Sequence, residues 1–384
     1  MPTSSLPSPG SSRFQFVDLL RGWAVLVMIE THVVNALLQV SLKEQPLFPV
    51  VTFINGLVAP SFLFCAGFAL AISLHRKWME FISFRKTFWR YIFRLLFILV
   101  VGYSLHLPIF SLQQLRALHD DQRWLPFFQS DILQVISLTL LFLVLLAVVL
   151  RREQLYIRIS AIIALCIIFI SPIVRELDYS STAMWLRPYF SIQYKSQFPL
   201  FPWSAFLMSG TLFGFWFLRV REMGKDALLM PRLALLAFGG IVLSLLVEII
   251  PLSLYPNHDF WRASPEFFFV RLGVVLLCSV GLWKYEQRGT ISSRSLISLF
   301  GQESLLVYTV HLLIVYGHTY EWSFISLFGP SLSYLECLGL FAALTLAMFL
   351  LAYGWHSMKQ WNSVVAKYVQ FAVLAAIVIK FILK

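Results

Sequence analysis

Eleven stretches of about twenty predominantly apolar residues follow one another along this chain, centred on 17–39, 50–74, 88–108, 131–150, 157–175, 199–219, 231–250, 267–285, 296–317, 332–355 and 362–383. A helix of that length spans the hydrocarbon of a bilayer and satisfies its own backbone hydrogen bonds, which irregular chain in lipid does not. With 59% of 384 residues hydrophobic and only 13% charged, the chain has too little polar surface for a water-soluble fold. It is expected to be an all-α, polytopic integral membrane protein with about eleven transmembrane helices, or ten if the last does not span. The opening MPTSSLPSPGSSRF has no basic segment ahead of an apolar one, so it does not resemble a signal peptide. Residues 1–14 are read as a disordered cytoplasmic tail and 15–384 as a single transmembrane domain.

Of the thirty Lys and Arg, four, Arg21, Arg94, Arg271 and Lys367, lie within or at the ends of spans, and the other twenty-six divide unevenly between the two sets of connections. Seventeen, among them Arg76, Lys77, Arg85, Lys86, Arg151, Arg152, Arg219, Arg221 and Lys225, fall on the side of the N-terminus. Nine fall on the other, and basic-rich loops stay in the cytoplasm, so the N-terminus is expected inside. Short clusters of this kind read as topology signals, and the net charge of +11 is not taken to imply nucleic acid. The four cysteines all lie in apolar stretches without close pairing, so neither a disulfide framework nor a metal site is expected.

An ionisable side chain within a span is costly and usually faces a bundle interior or a wet cavity. The first span, VDLLRGWAVLVMIETHVVNALLQ, has the densest set. Arg21 and His32 are eleven residues apart, three turns plus about 20°, so they share a face and are separated by a rise of about 16 Å. Asp18 and Asn35 fall on the same side, within roughly a 100° arc. In the ninth span, GQESLLVYTVHLLIVYGH, the spacing of Ser304, Tyr308 and His311 makes one stripe. His311 lies at a depth comparable to that of His32. Asp131 and Gln134 open the fourth span, where an acid at the first position is expected to cap the helix. Arg90 and Arg94, one turn apart at the start of the third span, join Arg21 as candidates for binding a multiply phosphorylated ligand.

The opening RFQFVDLLRGWAVLVMIETH resembles the start of transmembrane acyltransferases, with an Arg, ten residues and then a His. In detail the chain is most similar to the heparan-α-glucosaminide N-acetyltransferase catalytic family, of a bacterial type. RYIFRLLFILVVGYSLH, SDILQVISLTLLFLVLLA, FPLFPWSAFLMSGTLFG and FGQESLLVYTVHLLIVY carry the likeness on, in family order, across residues 13–317. Val135 stands where the family commonly has Arg, and two spans follow the Tyr308–His311 helix where one is expected. The resemblance implies transfer of an acyl group, acetyl first, from cytoplasmic acyl-coenzyme A to an amino or hydroxyl group of an extracytoplasmic glycan. The protein would lie in a bacterial cytoplasmic (inner) membrane, with a homodimer open as its assembly state. His32 is then the catalytic residue and Arg21 its motif partner. From the helix faces and basic clusters read above, Asp18, Asn35, Tyr308 and His311 are expected as supporting residues, and Arg21, Arg90 and Arg94 as the donor-binding set.

The chemistry fits these residue types. An imidazole can deprotonate an acceptor as it attacks a thioester, or can itself attack first and form an acyl-imidazole. Both routes remain open from the sequence, with direct transfer the simpler where both substrates are held together. The rival reading is a proton-coupled secondary transporter of a small polar solute, in which the same buried groups would relay protons.

Overall fold

The computed structural model describes residues 14–250, 263–289, 295–317 and 322–384. Most of the expected N-terminal tail, most of the loop near 251–266 and Arg294 lie outside the described residues. Sixteen α-helices are described, in order α1 Gln15–Leu37, α2 Phe48–Asn55, α3 Val58–Ile82, α4 Lys86–Ser104, α5 Leu112–Arg116, α6 Asp121–Phe128, α7 Ile132–Leu150 and α8 Glu153–Glu176. They continue as α9 Leu200–Glu222, α10 Asp226–Ile249, α11 Pro265–Gln287, α12 Leu296–Gln302, α13 Ser304–Tyr316, α14 Phe324–Phe328, α15 Tyr334–Trp361 and α16 Ser363–Leu383. Among the described residues there is no β-strand, only one isolated bridge from Leu38 to Leu332 that ties the end of α1 to the approach to α15.

Among the described residues nine helical segments are long and apolar enough to cross a membrane, and α2 with α3 counts as one of them. The stretch 296–317 holds two helices and is not one straight span, because α12 and α13 meet at 88° across a break at Glu303. The remaining expected stretch is α1, 23 residues long, which carries Asp18, Arg21, Glu30 and His32 among its apolar residues. Among the described residues the candidate spans therefore number nine, or ten with the bent pair, where about eleven were expected; α1 falls outside that count, the last helix falls within it, and the fold is an all-α polytopic membrane protein.

Small residues set the closest crossings, as expected where lipid supplies no hydrophobic force between helices. On α9, Gly210 and Gly214 lie one turn apart, and α3 presents Gly67 to them. A Cβ on Gly210 would come 2.0 Å from the backbone oxygen of Phe64, and one on Gly67 would come 1.9 Å from that of Leu207. A second such crossing locks α12 to the first half of α1, where a Cβ on Gly22 would lie 1.8 Å from the oxygen of Ile297 and one on Gly301 2.1 Å from that of Asp18. The N-terminus of α1, which has no side-chain cap of its own, takes one from α11. Glu286 accepts from the backbone N–H groups of Gln15 and Phe16 at 3.2 and 3.0 Å. A carboxylate there meets both the free donors and the positive end of the helix dipole. α10 and α16 bury almost nothing within the chain and form outer, lipid-facing helices.

Candidate active site

The tight α1–α12 crossing fixes the first half of α1, and its second half then forms a wall of a cavity of about 1150 Å³. His32 and Asn35 line it, with Asn55 from α2, Trp203 from α9, and Gln129, Lys195 and Gln197 from the connections before α7 and α9. A smaller cavity of about 200 Å³ lies beside the earlier turns of α1 and holds Arg21 from α1, Ser73 from α3, Tyr91 and Arg94 from α4, and Ser304 from α13. Phe62, Ile132 and Tyr308 line both cavities. One helix thus carries a cation beside the small cavity and an imidazole in the wall of the large one, and Tyr308 is common to both linings.

The structure sets two imidazoles side by side. α13 brings His311 against His32, ring centroids 5.2 Å apart and planes at 50°. The Tyr316 hydroxyl lies 3.1 Å from His32 Nδ1. Nδ1 of His311 lies 2.7 Å from the backbone carbonyl of Val307 and must donate to it, since a carbonyl only accepts. In the neutral ring this leaves the lone pair on Nε2, which is buried and meets no hydrogen-bond partner among the described residues. Such a nitrogen has its basic site unengaged, against the first histidine.

A second network converges on Asp131. Its Oδ1 accepts the backbone N–H of Ile132 at 2.7 Å, which is the expected helix cap. Its Oδ2 also accepts from the Tyr308 hydroxyl at 2.9 Å and from His106 Nε2 at 3.1 Å. Gln129 Nε2 donates to His106 Nδ1 at 2.9 Å, so the amide sets the tautomer that points a proton at Asp131. Three donors on one buried carboxylate suit its ionised form. Tyr308, which lines both cavities, is thereby held by Asp131 at the start of α7, itself held by His106 from the turn after α4.

Of the other expected site residues, Asn35 reaches the large cavity with its side chain while its backbone oxygen accepts from Lys43 at 2.9 Å. Asp18 is buried at the α1–α12 crossing and is not among the residues lining either cavity. Arg21 is half-buried, with Nη1 donating to Gly301 O at 3.4 Å, and Arg94 is exposed at the side of the small cavity. Arg90 is exposed and is not among the lining residues of either cavity, so the structure separates it from the pair it was grouped with. His106, Gln129 and Tyr316 were not anticipated, and Asp131 was read only as a cap. Arg271 also lines the large cavity, its guanidinium lying over the Phe267 ring at 3.8 Å and the Trp203 ring at 5.4 Å. Among the described residues no group of three or more His, Cys, Asp or Glu is placed to hold a metal ion.

Comparison with known families agrees with the architecture. The family described as heparan-alpha-glucosaminide N-acetyltransferase, catalytic, matches residues 13–246, more than half of the chain. The chain belongs to that family. It is accordingly a membrane-embedded acetyltransferase-family protein, and the matched region contains His32, Arg21, Arg94, His106 and Asp131. No curated protein matches the sequence. Tyr308, His311 and Tyr316 lie beyond the match, on a helix that the fold brings against the matched α1.

Proposed function

We propose that this protein transfers an acyl group, acetyl in the simplest case, from acyl-coenzyme A to an amino or hydroxyl group of a glycan on the other side of the membrane. The observation that carries this reading is the pair of cavities that share Tyr308 in their linings, with Arg21 and Arg94 beside one and His32 in the wall of the other. Coenzyme A has its phosphates at one end and its thioester at the other. Arg21 and Arg94 match the phosphate end, and the slender arm suits the 200 Å³ cavity that Tyr308 also lines. The acceptor enters the large cavity, whose amide, hydroxyl and aromatic lining suits a sugar. Residues 15–384 act as one transmembrane domain, in a bacterial cytoplasmic membrane, with the N-terminus cytoplasmic.

In the direct route His32 takes the proton of the acceptor N–H or O–H as that atom attacks the thioester carbonyl. The carbon–sulfur bond breaks, and the thiolate leaves and takes up a proton. Tyr316 at Nδ1 orients the His32 ring, and His311 buttresses it. Holding both substrates together gives the proximity that makes an acyl-enzyme unnecessary.

The test is release of free thiol from acetyl-coenzyme A by the purified protein in lipid nanodiscs, with an aminosugar glycoside as acceptor. His32→Ala should lower turnover by about 10²- to 10⁴-fold, the usual contribution of a positioned base, with expression intact because Leu, Val and Met dominate the packing of α1. Equal turnover in wild type and variant would end the assignment of His32. No thioester consumption by the wild type, with solute uptake driven by a proton gradient instead, would replace the enzyme by a transporter.

A further inference from the structure

The break between α12 and α13 is held by a cluster the reaction does not use. Glu303 sits between the two helices, buried at 6% exposure, with φ −103° and ψ 24°. Both its oxygens accept from the Lys359 ammonium, Oε2 at 2.6 Å. His356, one turn earlier on α15, meets Oε1 through Nδ1 at 3.0 Å, and Gln360 donates to the other ring nitrogen at 2.8 Å. His356 is thereby set to donate from Nδ1. A carboxylate at the corner of two helices is fastened by two donors from a third.

The consequence is directional. α12 is immobilised on α1 by the Gly22 and Gly301 contacts, whereas α13 leaves the corner at 88° and carries Tyr308, His311 and Tyr316 to the His32 side of α1. Glu303 immediately precedes Ser304, the first residue of α13 and part of the small cavity wall. A change in the corner angle would displace the far end of α13 most, and Tyr316 lies there, twelve residues or about 18 Å along the helix.

We propose that Glu303, clamped by His356 and Lys359, is a positioning residue for the transfer reaction, fixing the angle at which α13 presents Tyr308, His311 and Tyr316 to His32. This rests on the acyltransferase reading of the site. Its test uses the full-length protein in nanodiscs, assayed for thiol release with acetyl-coenzyme A and an aminosugar glycoside. Three variants are compared with wild type, namely Glu303→Gln, Lys359→Met and the double exchange of Glu303→Lys with Lys359→Glu. Each single variant should lower kcat on the order of ten- to a hundredfold, as misplacement of about an ångström does, and leave the KM for donor and acceptor within about twofold. The double exchange should recover most of the lost kcat. Single variants with wild-type kcat overturn the inference. So does a loss confined to the yield of folded protein, with unchanged turnover per folded molecule, which makes the cluster merely structural. If neither single variant folds, the double exchange decides, since a folded exchange protein with low kcat also overturns it. An inactive wild type rejects the acyltransferase reading itself, and this inference falls with it.

Discussion

At His32 the hydrogen bond between Nδ1 and the Tyr316 hydroxyl decides how the ring is presented, and the neighbouring ring of His311 has its Nε2 lone pair unengaged. Tyr316→Phe keeps the ring contact of 5.5 Å and removes only the hydroxyl. Since a hydrogen bond is worth about 0.5–1.5 kcal/mol net, kcat should fall by up to about tenfold, with the acceptor KM little changed. His311→Ala should cost more than Tyr316→Phe and less than His32→Ala, in the same thiol-release assay. An essential His311 beside a dispensable His32 would reverse their roles. At this scale the sequence was informative where one helix holds the whole relation. Arg21 and His32 share a face by counting, as do Tyr308 and His311. It was uninformative where the relation crosses elements. Asp131 ahead of an apolar run is legible as a cap, but its bonds to Tyr308 and His106 join residues 177 and 25 positions away. No local pattern encodes them.

Between elements, close backbone approach does what charge does at the site. Gly22 and Gly301 let α1 and α12 touch, and an added Cβ at Gly301 would come 2.1 Å from a backbone oxygen, which cannot move aside as a side chain can. Gly301→Ala should therefore destabilise by about 1–3 kcal/mol, the usual cost of overpacking, lowering the thermal midpoint in detergent. Because this crossing also seats Arg21 on Gly301 O, donor affinity should fall in the folded fraction. Gly239→Ala on α10, where nothing lies within 4 Å, is the control and should change neither. The long helices were legible because twenty apolar residues allow little else in a bilayer. The corner at Glu303 was not, since the short Gly301–Ser304 stretch sits between two mostly apolar runs that read as one span, and the partner that fixes the angle arrives from α15, more than fifty residues later.

Across the whole molecule, the two cavities lie toward opposite ends of α1, and the connections before α7 and α9 furnish the wall of the larger one. The basic residues of the α3–α4, α7–α8 and α9–α10 turns lie toward the end where α1 begins. If basic-rich turns are cytoplasmic, the Arg21 and Arg94 cavity faces the donor compartment and the His32 cavity the acceptor compartment. Reaction in sealed proteoliposomes should then be vectorial. With the protein inserted in one orientation, acetyl-coenzyme A should support turnover only from the side where residues 76–86 and 221–226 label, and the acceptor only from the side where 176–198 label. Arg21→Lys adds the molecular link, because it keeps the charge but loses the planar fork that engages phosphate bidentately. It should raise the donor KM more than the acceptor KM, on the donor side alone. Donor and acceptor working equally from one side would refute the two-cavity route, and an unchanged donor KM in both Arg21→Lys and Arg21→Ala would remove Arg21 from it.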